Sequence, residues 1–135
     1  MICSITAATI PIFTAADARR IEKNIGYGVP KEKIFLGIPT YGRPVNGDPY
    51  WPVYKDYPEL GKFGNIVKDV TYSLDGVNTV KSDVYFNSAA EARDKTTLLL
   101  QYGCGGVMIF SMNCDSLMGD ENSIRRAVYD AIHNP

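Results

Sequence analysis

The chain has 135 residues, 45% of them hydrophobic and 21% charged, with 14 Lys+Arg against 15 Asp+Glu and a formal charge of −1. That length holds one domain with a hydrophobic core, and the composition excludes a wholly disordered chain. With no basic excess to meet phosphates, nucleic acid is not expected as a partner; no apolar run reaches the ~20 residues of a bilayer span, so a membrane is not expected either.

No Lys or Arg precedes the apolar stretch Met1–Phe13, so the charged front of a secretory signal is missing, and no Asn-x-Ser/Thr sequon occurs. The compartment stays open. The three cysteines are Cys3, Cys104 and Cys114. Cys104 and Cys114 bracket a predicted strand, which places their Cα atoms roughly 30 Å apart, beyond the ~7 Å a disulfide tolerates. Buried free thiols are expected.

In chain order, Thr14-x-x-Asp17 reads as a capping box with Phe13 and Ala18 as its hydrophobic staple. Ala15, Ala18, Ile21 and Ile25 form one helical face, and Gly26, Gly28 and Pro30 end it. Ile34–Ile38 is a continuous apolar run, read as a strand buried on both faces and stopped by Thr40-Tyr41-Gly42-Arg43-Pro44. Residues 44–69, rich in Pro, Gly and aromatics, read as a long excursion with a short helix near Glu59. Val70–Leu74 alternates as an exposed strand, Asp75-Gly76 is a turn, and Val84–Phe86 is a brief strand. Ser88-x-x-Glu91 opens a helix running to Tyr102, with Gly103 as its stop. Val107–Met112 is a second apolar strand, and Asp120 is the expected cap of a last helix with Ile124, Val128, Ala131 and Ile132 inward. The order predicts α/β architecture built from consecutive parallel β/α units.

Acid–base chemistry on one strand needs carboxylates two positions apart, and no such pair exists. Asp48, Asp75 and Asp115 sit near strand ends or loops and read as turn or cap residues. His133, the one histidine, lies two residues from the terminus, which disfavours a Ser-His-Asp or Cys-His centre. Three scattered cysteines do not make a zinc site, and Gly103-Cys104-Gly105-Gly106 follows a helix and precedes a strand, the reverse of a dinucleotide loop. No metal or cofactor is expected.

The strand ends carry more. Phe35, Gly37, Pro39 and Tyr41 share a face with Arg43 in phase, and Met108, Phe110 and Met112 share another. If both faces open on one hollow, Tyr41, Arg43, Met108 and Phe110 form an apolar floor with a hydroxyl and a guanidinium, a composition that suits sugars. A packed sheet core with Arg43 at its edge accounts for the same pattern. Tyr50-Trp51-Pro52, Tyr54, Tyr57 and Phe63 fit either a wall for an extended polymer or aromatic packing inside a loop.

Gly28–Arg43, with Pro-Lys-Glu-Lys before the strand and Tyr-Gly-Arg after it, resembles the seventh strand of family 18 glycoside hydrolases, the chitinases and chitinase-like proteins. Phe86-Asn87-Ser88 with Lys95 resembles the stretch before that family's seventh helix, and Gly105–Asp115 its eighth strand. The resemblance implies a partial TIM (β/α)8 barrel, its last two units, in one segment over residues 1–135 with a reduced insertion at 44–83; a complete barrel needs ~200–250 residues. It implies a substrate-binding role for Tyr41, Arg43, Met108 and Phe110; Trp51 is a further substrate-binding candidate from the aromatic pattern of its loop. Phe110 stands where the family usually has tryptophan, so it keeps a stacking face and loses the indole N–H; Asn113 stands where Asp is frequent.

In that family the substrate's own acetamide attacks the anomeric carbon while a glutamic acid protonates the leaving oxygen. The Asp-x-x-Asp-x-Asp-x-Glu strand that carries the acid, and the Met-x-Tyr-Asp strand that holds the acetamide, are not in this sequence. The resemblance therefore implies the C-terminal portion of a chitinase-like hydrolase that contacts N-acetylglucosamine polymers and is inactive by itself. A non-catalytic binding module and a structural remnant are the alternatives. Open strand edges further imply self-association or the remainder of a larger barrel.

Overall fold

The computed structural model describes residues 12–135, with side chains from Ala15 onward. Helix α1 (Ile12–Gly26) is helical two residues before Thr14, which therefore lies inside it and not at its cap; the staple residue Phe13 is outside the described side chains. Ala18 and Ile21 are buried against Leu98 and Leu99, while Ile25 is exposed. The helix ends where Gly28 takes a positive φ of 88° and Val29 N–H returns to Asn24 O at 3.1 Å.

Strand β1 (Phe35–Pro39) and the later β5 (Gly106–Phe110) form a two-stranded parallel sheet, in register from Phe35 opposite Gly106 to Pro39 opposite Phe110. Between them lie β2 (Arg43–Pro44), β3 (Ile66–Tyr72), β4 (Val80–Tyr85) and helix α2 (Ala89–Tyr102). Helix α3 (Ile124–His133) closes the chain. The expected parallel α/β order is present.

Burial on both strand faces is not. Leu36, Ile38, Val107 and Ile109 pack into the cores beneath the helices. The opposite face is open, with Phe35 62%, Met108 59% and Phe110 64% exposed. An unalternating apolar run shows that both faces suit an apolar neighbour; it does not show that a neighbour is there.

The excursion is better ordered than its composition suggests. It holds an antiparallel sheet, in the order β2-β4-β3, and its strands begin four residues earlier than Val70 and Val84. A bulge between Val67 and Val70 puts Asp69 at φ 53° and breaks the alternation there. Asp83 accepts from Asp69 N–H at 3.0 Å and Lys68 Nζ at 2.9 Å, contacts that hold its carboxyl below the ordinary range. The helix near Glu59 is a single 3₁₀ turn, Pro58–Leu60. Tyr54, Leu60, Val84 and Phe86 join Ile38, Ala92, Ile124 and Val128 in one buried cluster, so the excursion is packed onto the β/α framework.

Both later helices are capped by side chains. Ser88 Oγ accepts from Glu91 N–H at 3.1 Å, and Gly103, at φ 69°, ends α2. The buried Glu91 carboxylate does not close a reciprocal box. It accepts from Asn65 at 2.9 Å and Tyr85 at 2.6 Å, tying the excursion to α2. For α3 the expected cap was Asp120; the N-cap is Ser123, reinforced by Asp115. Ile132 is exposed, and Ile124, Val128 and Ala131 are buried.

Candidate functional site

The candidate site lies at the C-terminal ends of β1 and β5. Past the last ladder pair, buried Thr40 keeps the strands together: its N–H donates to Phe110 O at 2.9 Å and its hydroxyl to Ser111 O at 2.7 Å. The Phe110–Ser111 peptide is cis. From Tyr41 on, the chain leaves β5 and is stitched to residues 52–54. Gly42 N–H donates to Pro52 O at 2.8 Å, Tyr54 N–H to Thr40 O at 3.1 Å, and Tyr41 bridges to Val53.

Gly42 is required by close approach. A Cβ there would stand 2.5 Å from Val84 Cγ1 and 2.6 Å from Phe86 Cζ. Its absence lets the backbone lie on these two side chains, with Tyr41 and Arg43 to either side.

The five residues singled out by sequence fall into three contacts. Tyr41 meets Phe110 edge-on, ring centroids 6.5 Å apart at 80°. The Arg43 guanidinium lies 5.6 Å from the Trp51 ring centroid, and Trp51 is 55% exposed. Met108 Cε rests 3.6 Å from where a Gly37 Cβ would stand, so the lack of a side chain at Gly37 leaves room for the methionine. The result is an exposed Met108 and Phe110 on one strand, with the Tyr41 ring against Phe110, and a separate pair, Arg43 over Trp51, just beyond Gly42.

The remaining aromatics divide. Tyr50 stacks on Tyr72 at 4.4 Å, and Tyr72 donates to Asp48 Oδ2 at 2.5 Å. Tyr54 is buried and donates to Asn122 O at 2.7 Å; Tyr57 packs on Phe86 at 5.2 Å. Burial raises both Tyr54 and Tyr57 to about 12. Tyr54 and Tyr57 are therefore loop packing, and Phe63 is exposed beside Lys62.

Carboxylates near the strand ends and loops are committed to backbone. Asp75 accepts from Val77 and Asn78 N–H, and those bonds hold it at about 2. Asp115 accepts four hydrogen bonds, from Ser116 N, Ser123 Oγ, Ile124 N and Arg125 N. His133 stacks on Tyr129 at the end of α3, away from the site. Among the described residues no group of three His, Cys, Asp or Glu is placed to hold a metal, and no helix is long and apolar enough to cross a membrane. Cys104 and Cys114 are free thiols, but half-buried where full burial was expected; the burial that Cys104 has raises its thiol above the ordinary value.

Sequence reading missed Thr40 and Gly42 as the residues that hold the strand ends in place, while Asp115, read as a turn or cap residue, does cap α3. Thr40 and Gly42 both stood inside a segment read as a strand stop, and Gly42 also within the Tyr-Gly-Arg motif, with no packing role given to either.

No protein-family model and no curated protein matches the chain. Solved structures do. A chitinase from Rhizomucor miehei superposes at TM-score 0.55 and 23% identity, over 83% of this chain and 42% of its own. Human YKL-39, a pseudo-chitinase with retained chitooligosaccharide binding, matches at TM-score 0.59 and 20% identity, over 83% of this chain and 38% of its own. A class V chitinase from Pseudomonas fluorescens matches at TM-score 0.55 and 19% identity, over 83% and 36%. The chain thus shares its fold with chitinases and chitinase-like proteins, and spans about two fifths of the length of these structures.

Proposed function

We propose that residues 1–135 form the last two β/α units of a chitinase-like, family 18 glycoside hydrolase barrel, with 44–83 as a reduced insertion, and that they contribute the floor of a groove for N-acetylglucosamine polymers. The observation that carries this reading is the Tyr41–Phe110 pair, standing at the C-terminal ends of two adjacent parallel strands. In β/α barrels that end is where ligands bind.

Each residue has a physical task. Phe110 and Met108 offer flat, polarisable surface to the C–H face of a sugar ring; Tyr41 supplies a hydroxyl at the edge of that floor. Arg43, held over Trp51, offers guanidinium donors to hydroxyl or acetamide oxygens. No Asp or Glu occupies the floor among these contacts, and the sequence lacks the acid strand, so the chain by itself binds without hydrolysing.

The measurement is titration of the full chain with chitooligosaccharides, read by Trp51 fluorescence. Saturable binding is expected, and its loss in Phe110→Ala and weakening in Arg43→Ala. An unchanged affinity in both variants overturns the assignment.

A further inference from the structure

We propose that Asn46 is a deamidation site guarded by the fold, and that losing its amide nitrogen releases the loop that carries Trp51. Asn46-Gly47 is the one Asn-Gly step in the chain. Such a step is chemically labile, because glycine has no Cβ to hinder the approach of its own backbone nitrogen to the preceding side chain. Asn46 and Gly47 are both exposed, so water and hydroxide reach them.

The reaction needs nothing else. Gly47 N, its proton taken by hydroxide, bonds to Asn46 Cγ. The Cγ–Nδ2 bond breaks, and the nitrogen leaves as ammonia with a proton from water, which restores the hydroxide. A further water then opens the five-membered imide at either carbonyl. The products are aspartate and, with the main chain rerouted through the former side chain, isoaspartate.

In the folded chain both reacting groups are engaged. Gly47 N–H donates to Pro44 O at 3.0 Å. The Asn46 amide donates from Nδ2 to Asp48 Oδ2 and to the Tyr72 hydroxyl, each at 3.1 Å, and its Oδ1 accepts Asp48 N–H at 2.9 Å. Tyr72, buried at the end of β3, in turn donates to Asp48 and stacks on Tyr50. Attack requires these bonds to open, so the folded rate is the unfolded rate scaled down by the rarity of that local opening. Deamidation then undoes the arrangement. A carboxylate at position 46 has no N–H to give, and it faces the Asp48 carboxylate across the 3.1 Å that a hydrogen bond now spans. Repulsion there loosens Asp48, and with it Tyr50, whose N–H donates to Asp48 O at 2.9 Å. Trp51 is the next residue, and its place beside Arg43 depends on that loop.

The test is incubation of the full chain in mildly alkaline buffer, folded and in urea, followed by peptide mass mapping. The unfolded chain is expected to gain one mass unit at Asn46 at least about tenfold faster than the folded chain. Tyr72→Phe keeps the ring stack and removes only the hydroxyl; it is expected to speed the folded reaction about threefold. In Asn46→Asp, the chain's one tryptophan, Trp51, is expected to lose fluorescence anisotropy while helical circular dichroism is unchanged. Equal rates folded and unfolded, or no mass gain at Asn46 in urea, overturn the site. A folded rate indifferent to Tyr72→Phe overturns the guard, and native anisotropy in Asn46→Asp overturns the release. Should Asn46→Asp lose its helical signal, the double variant Asn46→Asp with Asp48→Asn exchanges amide and carboxylate and removes the repulsion. Restored anisotropy there supports the release, and its continued loss overturns it.

Discussion

Asp115 Oδ2 accepts the backbone N–H of Arg125 at 2.8 Å, while the Arg125 side chain turns back to place Nε 3.5 Å from the same oxygen. One carboxylate, five residues beyond the end of β5, therefore both caps α3 and neutralises the first basic residue of that helix. Asp115 is buried and Arg125 is mostly so. Replacing it by alanine strands a guanidinium and uncaps a helix, and is expected to cost about 3 kcal/mol. Urea denaturation measures it; a midpoint unchanged from native refutes the capping role.

Phe110 is exposed, so its substitutions act on ligand and not on stability. Phe110→Trp is expected to tighten chitooligosaccharide binding by roughly threefold to tenfold through added stacking area, with stability within about 0.5 kcal/mol of native. Calorimetric titration beside a melting curve separates the two effects.

Gly42→Ala tests the close approach beneath the Tyr-Gly-Arg segment. The added methyl meets Val84 and Phe86, both buried, at distances well inside van der Waals contact. Overpacking of that kind is expected to cost about 1–3 kcal/mol. Tyr41 and Arg43 shift with the backbone, so oligosaccharide affinity falls as well. A melting temperature and an affinity both equal to native contradict the packing argument.

Burial raises Tyr54 from its ordinary value near 10 to about 12, so the folded chain keeps a proton that the unfolded chain releases. The contribution to stability is complete below about pH 10 and is lost as pH rises towards 12. Tyr57 and Tyr102 are raised to about 12 as well and add to the same window. Alkaline unfolding followed by helical circular dichroism is expected to start above pH 10, and to be less steep in Tyr54→Phe. An identical slope in both proteins is the contrary result.

The open face predicts association. The two-stranded sheet exposes Phe35 and Met108 along with its strand edges. Added strands would cover the lower part of that face and leave the end bearing Phe110 and Tyr41 as a mouth. Light scattering of the full chain is expected to give a mass above that of a monomer, and Phe35→Glu to reduce it. A stable monomer in the native chain counts against the partial-barrel proposal.

The alternation of capped helices with apolar strands was legible in the sequence because helix caps and apolar runs are local signals: Ser88, Gly103 and the β1–β5 pair stand where pattern placed them. The sheet within the excursion was legible only in part: two of its strands and the Asp75-Gly76 turn were read, but the first residues of each strand were not, since a bulge at Asp69 and charged Lys68 and Asp83 interrupt the period of two. The α3 cap was missed for a different reason. Asp115 is far from Ile124 in sequence, and Asp120 was the nearer residue of the right type. At the site, alternation put Tyr41 and Phe110 on matching faces, but only the fold brought Trp51 under Arg43.

Thr40 fastens the crest of β1 to the backbone on both sides of the Phe110–Ser111 linkage. The backbone beneath the phenol and the phenyl ring is thereby tied across the two strands, next to where the rings meet edge-on. Exchanging the exposed ring at position 110 therefore leaves that tie untouched, because both bonds run from Thr40 to main-chain oxygens and neither involves the aromatic group.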